Sequence, residues 1–225
     1  MTARALRLLA AAASVCAVTA CATTRPARDF RPASADQARQ ALSAWAAARE
    51  RAATLPASRL LYDAKMSSGA TPSVPGTLAV TYDGRSVVTA SLTGPFGSRV
   101  AEYRDGALTG QDRQAFVVDP EALRAVLAGF WNGDTPSVEG FDAGQSLLSL
   151  DAAGARVLAV LDVASRSLVS MDVTGPSGHL AVDYSGTTDP WPARLTVRDE
   201  ARKKSLALKL VAVEPIAGSP GSAGR

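Results

Sequence analysis

Apolar and polar residues alternate along most of this chain in a way that predicts short strands. Between Arg59 and Val213, apolar side chains recur at every second position in segments bounded by Gly, Pro or Asp. Segments of this kind, roughly eight to twelve residues apart and joined by tight turns such as Asp83-Gly84, form antiparallel sheets. The pattern predicts strands at residues 59–67, 78–82, 88–92, 99–103, 115–118, 146–151, 156–162, 167–174, 179–185, 194–199 and 204–213.

Two segments depart from this alternation and predict helices. From Ala35 to Ala53 the apolar residues recur at steps of three and four, and Ser34 precedes them as a candidate N-cap. Asp119-Pro120-Glu121 is a typical helix start, and it is followed by an apolar stripe of Leu123, Val126, Leu127 and Phe130. A sheet of about ten or eleven strands either closes into a barrel or curls around a cover. The two amphipathic helices are available as that cover.

The first twenty residues are typical of a bacterial signal peptide. Arg4 and Arg7 precede an uncharged run, Leu8–Ala20, which is shorter than the roughly 20 apolar residues that cross a bilayer. The run ends in Val18-Thr19-Ala20-Cys21, which resembles the lipobox of bacterial lipoproteins. Cys21 is therefore the predicted lipidation site, carrying palmitate-type acyl chains. The alternative is an ordinary signal peptide in which Cys21 has no such role.

The charge and spacing of the residues divide the chain into four parts. Residues 1–20 are the predicted lipoprotein signal peptide, and residues 21–33, with Pro26, Pro32 and one large apolar residue, Phe30, are the lipidated tether. Residues 34–216 form a single domain, and residues 217–225 are a flexible tail. Ala22, rather than Asp, follows Cys21. By resemblance to sorted lipoproteins, this favours the outer membrane, with the domain facing the periplasm.

The composition argues against several classes of function. The net charge of +3 falls to about +1 without Arg4 and Arg7, so we expect no basic face for nucleic acid. Both cysteines, Cys16 and Cys21, lie in the first 21 residues, which leaves the domain without a disulfide or a thiolate metal site.

The residues give no sign of catalysis. His179 is the one histidine, and we expect it at the surface. No nucleophile elbow or phosphate loop occurs. Residues 132–144, with Asp134, Glu139 and Asp142, lack the ligand spacing of a calcium loop and are expected to form a solvated loop. We therefore expect no enzyme activity, no cofactor and no metal.

Three local motifs in this order resemble the LolB family of outer-membrane lipoprotein receptors. The first is the turn of residues 92–98, Leu-Thr-Gly-Pro-Phe-Gly-Ser; the second is the helix around Leu123–Leu127 followed by Gly133-Asp134. The third is the run of residues 180–184, 192–195 and 206–210, which follows the order of the family's C-terminal strands. The chain departs from the family in its few aromatic residues and its Gly/Ser-rich tail.

The resemblance implies a LolA/LolB-like fold, a curved antiparallel half-barrel covered by two or three helices. It also implies an apolar cavity for acyl chains and a membrane-insertion loop at Pro95, Phe96 and Gly97. Periodicity alone leaves open whether the inner face lines a cavity or packs as a dry core. The predicted inner-face residues are Leu78, Val80, Tyr82, Val88, Leu92, Leu180, Val182 and Tyr184, with Leu123 and Leu127 on the lid.

The sequence favours two functions over a third, that of an envelope hydrolase. In the first, a lipid-anchored monomer accepts acylated lipoproteins from a LolA-like periplasmic carrier and inserts them into the inner leaflet of the outer membrane. In the second, the same fold serves as a non-catalytic accessory or scaffold lipoprotein of an envelope assembly, without lipid transfer.

Overall fold

A computed structural model describes residues 29–216, apart from positions 70, 105, 111–119, 129–134, 153, 177 and 189. All of the helices and strands found within these limits lie after Ala22 in the sequence. They are α1 (Ala35–Ala53), β1 (Ser58–Ser68), β2 (Val74–Tyr82), β3 (Val87–Thr93), β4 (Arg99–Arg104), β5 (Ala107–Thr109), α2 (Pro120–Ala128), β6 (Ser137–Asp142), β7 (Gln145–Ala152), β8 (Ala155–Asp162), β9 (Ser167–Gly175), β10 (Gly178–Thr188), β11 (Trp191–Asp199) and β12 (Lys204–Pro215).

The strands form one antiparallel sheet in the order β5-β4-β3-β2-β1-β12-β11-β10-β9-β8-β7-β6. The first and last strands pair at its middle, where Ala64 lies opposite Leu208. Across the described residues β5 and β6 are the two edges and do not pair with each other, so the sheet stays open. This confirms the predicted fold class, a mainly antiparallel β sheet that is not closed into a barrel and carries two helices, with twelve strands rather than ten or eleven.

The turns alternate between the two ends of the sheet because neighbouring strands are antiparallel. The β3–β4, β9–β10 and β11–β12 turns lie at one end. The β2–β3, β8–β9 and β10–β11 turns lie at the other, together with the start of β1 and the end of β12. These are called the upper and lower ends below.

Both helices pack on the same face of the sheet. Ser34 and Gln37 form a capping box at the start of α1, where the Ser34 backbone N–H donates to Gln37 Oε1 at 2.9 Å and the Gln37 N–H donates to Ser34 Oγ at 3.3 Å. The helix therefore begins where its sequence predicts. α1 contacts β6 and β8, and α2 contacts β3 and β11. Trp45 of α1 and Val126 of α2 belong to one buried apolar cluster with the inward residues of the sheet.

Two predicted interruptions of the sheet are wrong. Part of the predicted loop 132–144 is the edge strand β6, which carries Glu139 and Asp142. Glu139 lies at an irregularity of the β6–β7 pairing, between Val138 and Gly140, which weakens the alternation in the sequence. The segment Pro190-Trp191-Pro192, in the gap between the strands predicted at 179–185 and 194–199, does not end the pairing either, because Trp191 lies opposite Thr188 at the start of β11.

The end of the predicted tether is docked on the sheet. Arg31 forms a bridge with Phe141 of β6, in which the Phe141 N–H donates to the Arg31 carbonyl at 2.8 Å. A Cβ on Gly140 would lie 2.8 Å from the Phe30 Cβ, so this approach depends on the glycine. Residues 29–33 thus cover part of the β6 edge.

Several predictions concern residues outside the described part of the chain. These are the signal peptide at 1–20, the lipidation site Cys21, most of the tether, the strand at 115–118, the N-cap Asp119, Phe130, Asp134 and the tail at 217–225.

Candidate functional site

A cavity of about 360 Å³ opens at the lower end of the sheet, between the two helices and the strand turns. Trp191 and Tyr184 form part of its wall on the sheet side, and Leu127 lies on the α2 side. The described lining residues include no carboxylate: they are Ala48, Arg51, Ala52, Leu55, Leu127, Ala128, Ser165, Arg166, Ser167, Leu168, Tyr184, Gly186, Pro190, Trp191 and Pro192.

Tyr184 connects this cavity to α2. Its hydroxyl donates to the Val126 carbonyl at 2.9 Å. Val126 lies near the described end of α2, so this hydrogen bond joins that part of the helix to β10. Burial raises the pKa of the Tyr184 phenol, and the charge of Asp183 adds to the effect. The hydroxyl therefore stays protonated and available as a donor.

Trp191 packs against Tyr82 edge to face, with ring centroids 5.4 Å apart. Both side chains are about 2% exposed or less. Neither the Trp191 Nε1 nor the Tyr82 hydroxyl has a hydrogen-bond partner among the described residues. Trp191, which is part of the cavity wall, is thus packed on the Tyr82 ring behind it.

Two arginines stand at the rim of the cavity. Arg51, in the last turn of α1, donates from Nη2 to the carbonyl oxygen of Arg166 at 2.6 Å. Arg166 lies in the β8–β9 turn with a φ of 55°, and Asp162 holds that turn by accepting from the Ser165 N–H at 2.8 Å. This hydrogen bond, together with one from the Ser165 hydroxyl, lowers the pKa of Asp162.

Two of the ten predicted inner-face residues, Leu127 and Tyr184, line this cavity. A third, Leu180, is partly buried against the core cluster. Six others are packed inside that cluster, each 2% exposed or less, and do not border the cavity: Leu78, Val80, Tyr82, Leu92, Leu123 and Val182. Their common face is as predicted, but they pack against one another and against α2.

The prediction for Val88 is wrong. Its side chain is 36% exposed, whereas its neighbour Val87 is 6% exposed and faces the core. The β2–β3 pairing slips by one residue here, since Thr81 lies opposite Thr89 and Tyr82 opposite Val87. A slip of one residue turns the side chain to the other face of a sheet.

The turn predicted to insert into membranes is at the upper end of the sheet. Phe96 is fully exposed, at 107% of its reference area, in a turn of 3₁₀ geometry formed by Pro95, Phe96 and Gly97. Its backbone has a φ of 62° and a ψ of 22°, the left-handed conformation that bulky residues rarely adopt. The turn closes through the Gly94 N–H, which donates to the Ser98 carbonyl at 2.8 Å. Phe96 and the cavity therefore lie at opposite ends of the strands.

Sequence reasoning missed Arg51, Arg166 and Trp191 as cavity residues. Arg51 is a charged residue outside the apolar stripe of α1, and Arg166 belongs to a turn whose contact with the end of that helix is set by the sheet register. Trp191 was not predicted to lie in a strand because it has a proline on each side in the sequence. The order of the strands in space, which brings β8 and the β8–β9 turn to α1, could not be read from the pattern.

No arrangement of three or more His, Cys, Asp or Glu side chains suited to a metal ion occurs among the described residues. His179 is exposed as predicted, with Nε2 3.4 Å from Asp172 Oδ1. Neither of the two helices in the described ranges combines the length and apolarity needed to span a membrane.

Comparisons with known proteins show the fold. No protein-family model and no curated protein matches the sequence. A crystal structure of a LolA superfamily protein from Nitrosomonas europaea is similar with a TM-score of 0.52 and 10% identity, over 80% of this chain and 94% of that one. A crystal structure assigned as an outer membrane lipoprotein-sorting protein domain from Vibrio parahaemolyticus has a TM-score of 0.50 and 11% identity, with the same coverage. The open sheet with its two helices is therefore a LolA-like fold.

Proposed function

We propose that this chain is a lipid-anchored envelope protein that binds the acyl chains of lipoproteins and inserts them into the outer membrane. The observation that carries the proposal is Phe96, a fully exposed aromatic side chain held outward by a left-handed backbone. Exposing such a side chain forgoes about 1.5–3 kcal/mol of burial. Contact with a membrane interior recovers that free energy, so the turn is suited to act as a wedge.

The cavity supplies the second element of the proposal. Its volume of about 360 Å³ is within the range of small-molecule pockets, and apolar side chains make up somewhat more than half of its walls. An acyl chain entering it would contact Leu127, Trp191 and the ring of Tyr184. The LolA-like fold supports this assignment, since the Vibrio relative is assigned to lipoprotein sorting.

The anchor and the location complete the proposal. Cys21 carries the acyl chains, and two or more chains hold a protein stably on a bilayer. We place the domain at the periplasmic face of the outer membrane, where it works as a monomer without catalysis and receives its clients from a LolA-like carrier. The docked segment at Phe30 and Arg31 leaves the short stretch 22–28 between the anchor and the domain.

The wedge and the cavity act as separate parts, because they lie at opposite ends of the sheet. Binding of an acyl chain and contact with the target membrane should therefore be separable by substitution. Phe96→Glu should leave lipid binding intact and block delivery, since a carboxylate resists entry into hydrocarbon.

A transfer assay tests the proposal. A fluorescent triacylated lipopeptide is loaded onto the chain from Ala22 and mixed with vesicles of outer-membrane phospholipids. We expect transfer by the wild type and by Val211→Glu, a matched charge at a 54% exposed valine elsewhere. Loaded Phe96→Glu should fail to transfer. Equal transfer by both variants contradicts the wedge, and a wild type that takes up no lipopeptide contradicts the proposal as a whole.

The packing of the inner face favours a second candidate, an accessory lipoprotein that transfers no lipid. Six predicted cavity residues are packed in a dry core at 2% exposure or less. In that case Phe96 contacts a protein partner. Crosslinking from a photoreactive residue at position 96 in intact cells distinguishes the two, because it labels lipid in the first case and one protein in the second.

A further inference from the structure

The charged side chains among the described residues at the cavity rim are all positive. Arg51 and Arg166 contribute two guanidinium groups, and the described lining residues include no Asp or Glu. Within the described part of the chain, neither arginine lies within ion-pair distance of a carboxylate. Arg51 uses one of its five N–H donors on the Arg166 carbonyl, and this contact holds its guanidinium at the rim.

The rim is polar and cationic while the wall behind it is apolar. Ser165 and Ser167 lie beside the arginines, whereas Leu127 and Trp191 lie on the helix and sheet sides. This arrangement suits an amphiphile with an anionic head, because guanidinium groups bind carboxylates through paired, charge-assisted hydrogen bonds.

The cavity volume corresponds to a single acyl chain. A water molecule in the liquid occupies about 30 Å³ and a methylene group about the same, so 360 Å³ holds on the order of a dozen such groups. A cavity of this size would therefore take up one of the three acyl chains of a mature lipoprotein.

We propose that the cavity binds a single-chain fatty carboxylate of about twelve carbons, with its head at Arg51 and Arg166 and its tail against Leu127 and Trp191. This goes beyond the proposed function, because it assigns to the cavity a free fatty acid, whose anionic head is absent from the acyl groups of a lipoprotein. The head remains at the solvated rim, so its contribution falls with added salt.

Calorimetric titration of the chain from Ala22 with laurate tests the inference, with dodecyltrimethylammonium as a probe of equal tail and opposite charge. We expect laurate to bind at least tenfold more tightly than the cation. The double variant Arg51→Gln/Arg166→Gln should lose about tenfold in laurate affinity. Arg49→Gln, the same charge loss two residues away on α1 and outside this cavity, should stay within twofold.

A second variant tests the tail site independently of charge. Ala52 lines the cavity, and Ala52→Phe should fill it and abolish binding of both probes, with circular dichroism confirming the fold. Equal binding of the two probes, or undiminished laurate binding by the double arginine variant, overturns the inference. If laurate binds and a triacylated lipopeptide is not taken up, the inference is supported and the proposed function is contradicted. If the lipopeptide is taken up and laurate does not bind, the proposed function is supported and the inference is contradicted.

Discussion

The Tyr184 hydroxyl of β10 donates a 2.9 Å hydrogen bond to the Val126 carbonyl of α2, which joins the sheet to the C-terminal turn of the helix. The two residues are 58 positions apart in the sequence, so the bond is a tertiary contact. It also places the Tyr184 ring beside Leu127 at the cavity. Tyr184 thus adds a polar contact to the apolar packing that holds α2 over the inner face.

Removing this hydroxyl should destabilise the protein. We expect Tyr184→Phe to lower the free energy of unfolding by about 0.5–1.5 kcal/mol, because the hydrogen bond between β10 and α2 is lost. Tyr62→Phe is the matched control: Tyr62 is fully buried, and its hydroxyl has no partner among the described residues. That variant should be as stable as the wild type or more so. Urea unfolding of both variants measures the difference, and equal losses would contradict the role given to Tyr184.

The left-handed backbone of Phe96 predicts that this residue lowers the stability of the fold while its side chain favours membrane contact. Phe96→Gly should raise the free energy of unfolding by about 0.5–1 kcal/mol, since glycine adopts a positive φ without strain and the exposed ring contributes no packing. The same change should weaken binding to vesicles at least tenfold, because the apolar side chain is lost. A variant that loses stability instead would show that Phe96 belongs to the core.

The docking of residues 29–33 depends on the absence of a side chain at position 140. Gly140→Ala should cost about 1–3 kcal/mol, because the new Cβ would lie 2.8 Å from the Phe30 Cβ and 3.1 Å from the Arg31 carbonyl oxygen. Hydrogen exchange at the Phe141 amide should speed up as its bond to Arg31 opens. In a Phe30→Gly background the cost should shrink; if it does not, the clash lies elsewhere.

Two aspartates in turns should make the stability of the protein depend on pH. The N–H groups of Ser86 and Arg85 lower the pKa of Asp83, and the Ser165 N–H and hydroxyl lower that of Asp162. Each carboxyl has a lower pKa in the folded protein than in the unfolded chain, where it is about 3.9, so its ionisation stabilises the fold. This stabilisation is present above about pH 3.9 and is lost as the pH falls through the pKa of the folded state. Asp162→Asn should therefore be less stable than wild type at neutral pH, with the difference narrowing below about pH 4. Thermal unfolding across pH 2–7 measures this, with exposed Asp151→Asn as the control.

The sequence predicted the elements of the fold better than their arrangement. Ser34 and the spacing of Ala38, Leu42 and Trp45 were enough to define α1, because a capping box and an apolar stripe are local signals. Asp83 likewise marked its hairpin, whose turn it closes by accepting from the Ser86 N–H at 2.7 Å. Strand β6 was missed because Gly140 serves a contact with Phe30, which is distant in sequence and invisible to periodicity.

The candidate site was less predictable than the fold. The turn at Pro95, Phe96 and Gly97 was located by a short local motif, and Phe96 is exposed there. Val88 was placed on the wrong face because an irregularity in pairing leaves no mark in the alternation. Arg51 and Arg166 meet only after the sheet has formed, since they are joined by a side chain and a backbone atom from distant segments.

The central claim is that the domain holds acyl chains of lipoproteins, and native mass spectrometry of the chain from Ala22 tests it most directly. The protein is produced in a bacterial periplasm and purified without detergent, so that any ligand is acquired from the envelope. We predict a bound species whose fragments contain an acylated N-terminal cysteine, reduced in an Ala52→Phe variant that fills the cavity. A wild-type protein that is ligand-free, and that stays so after incubation with triacylated lipopeptide, would contradict the account.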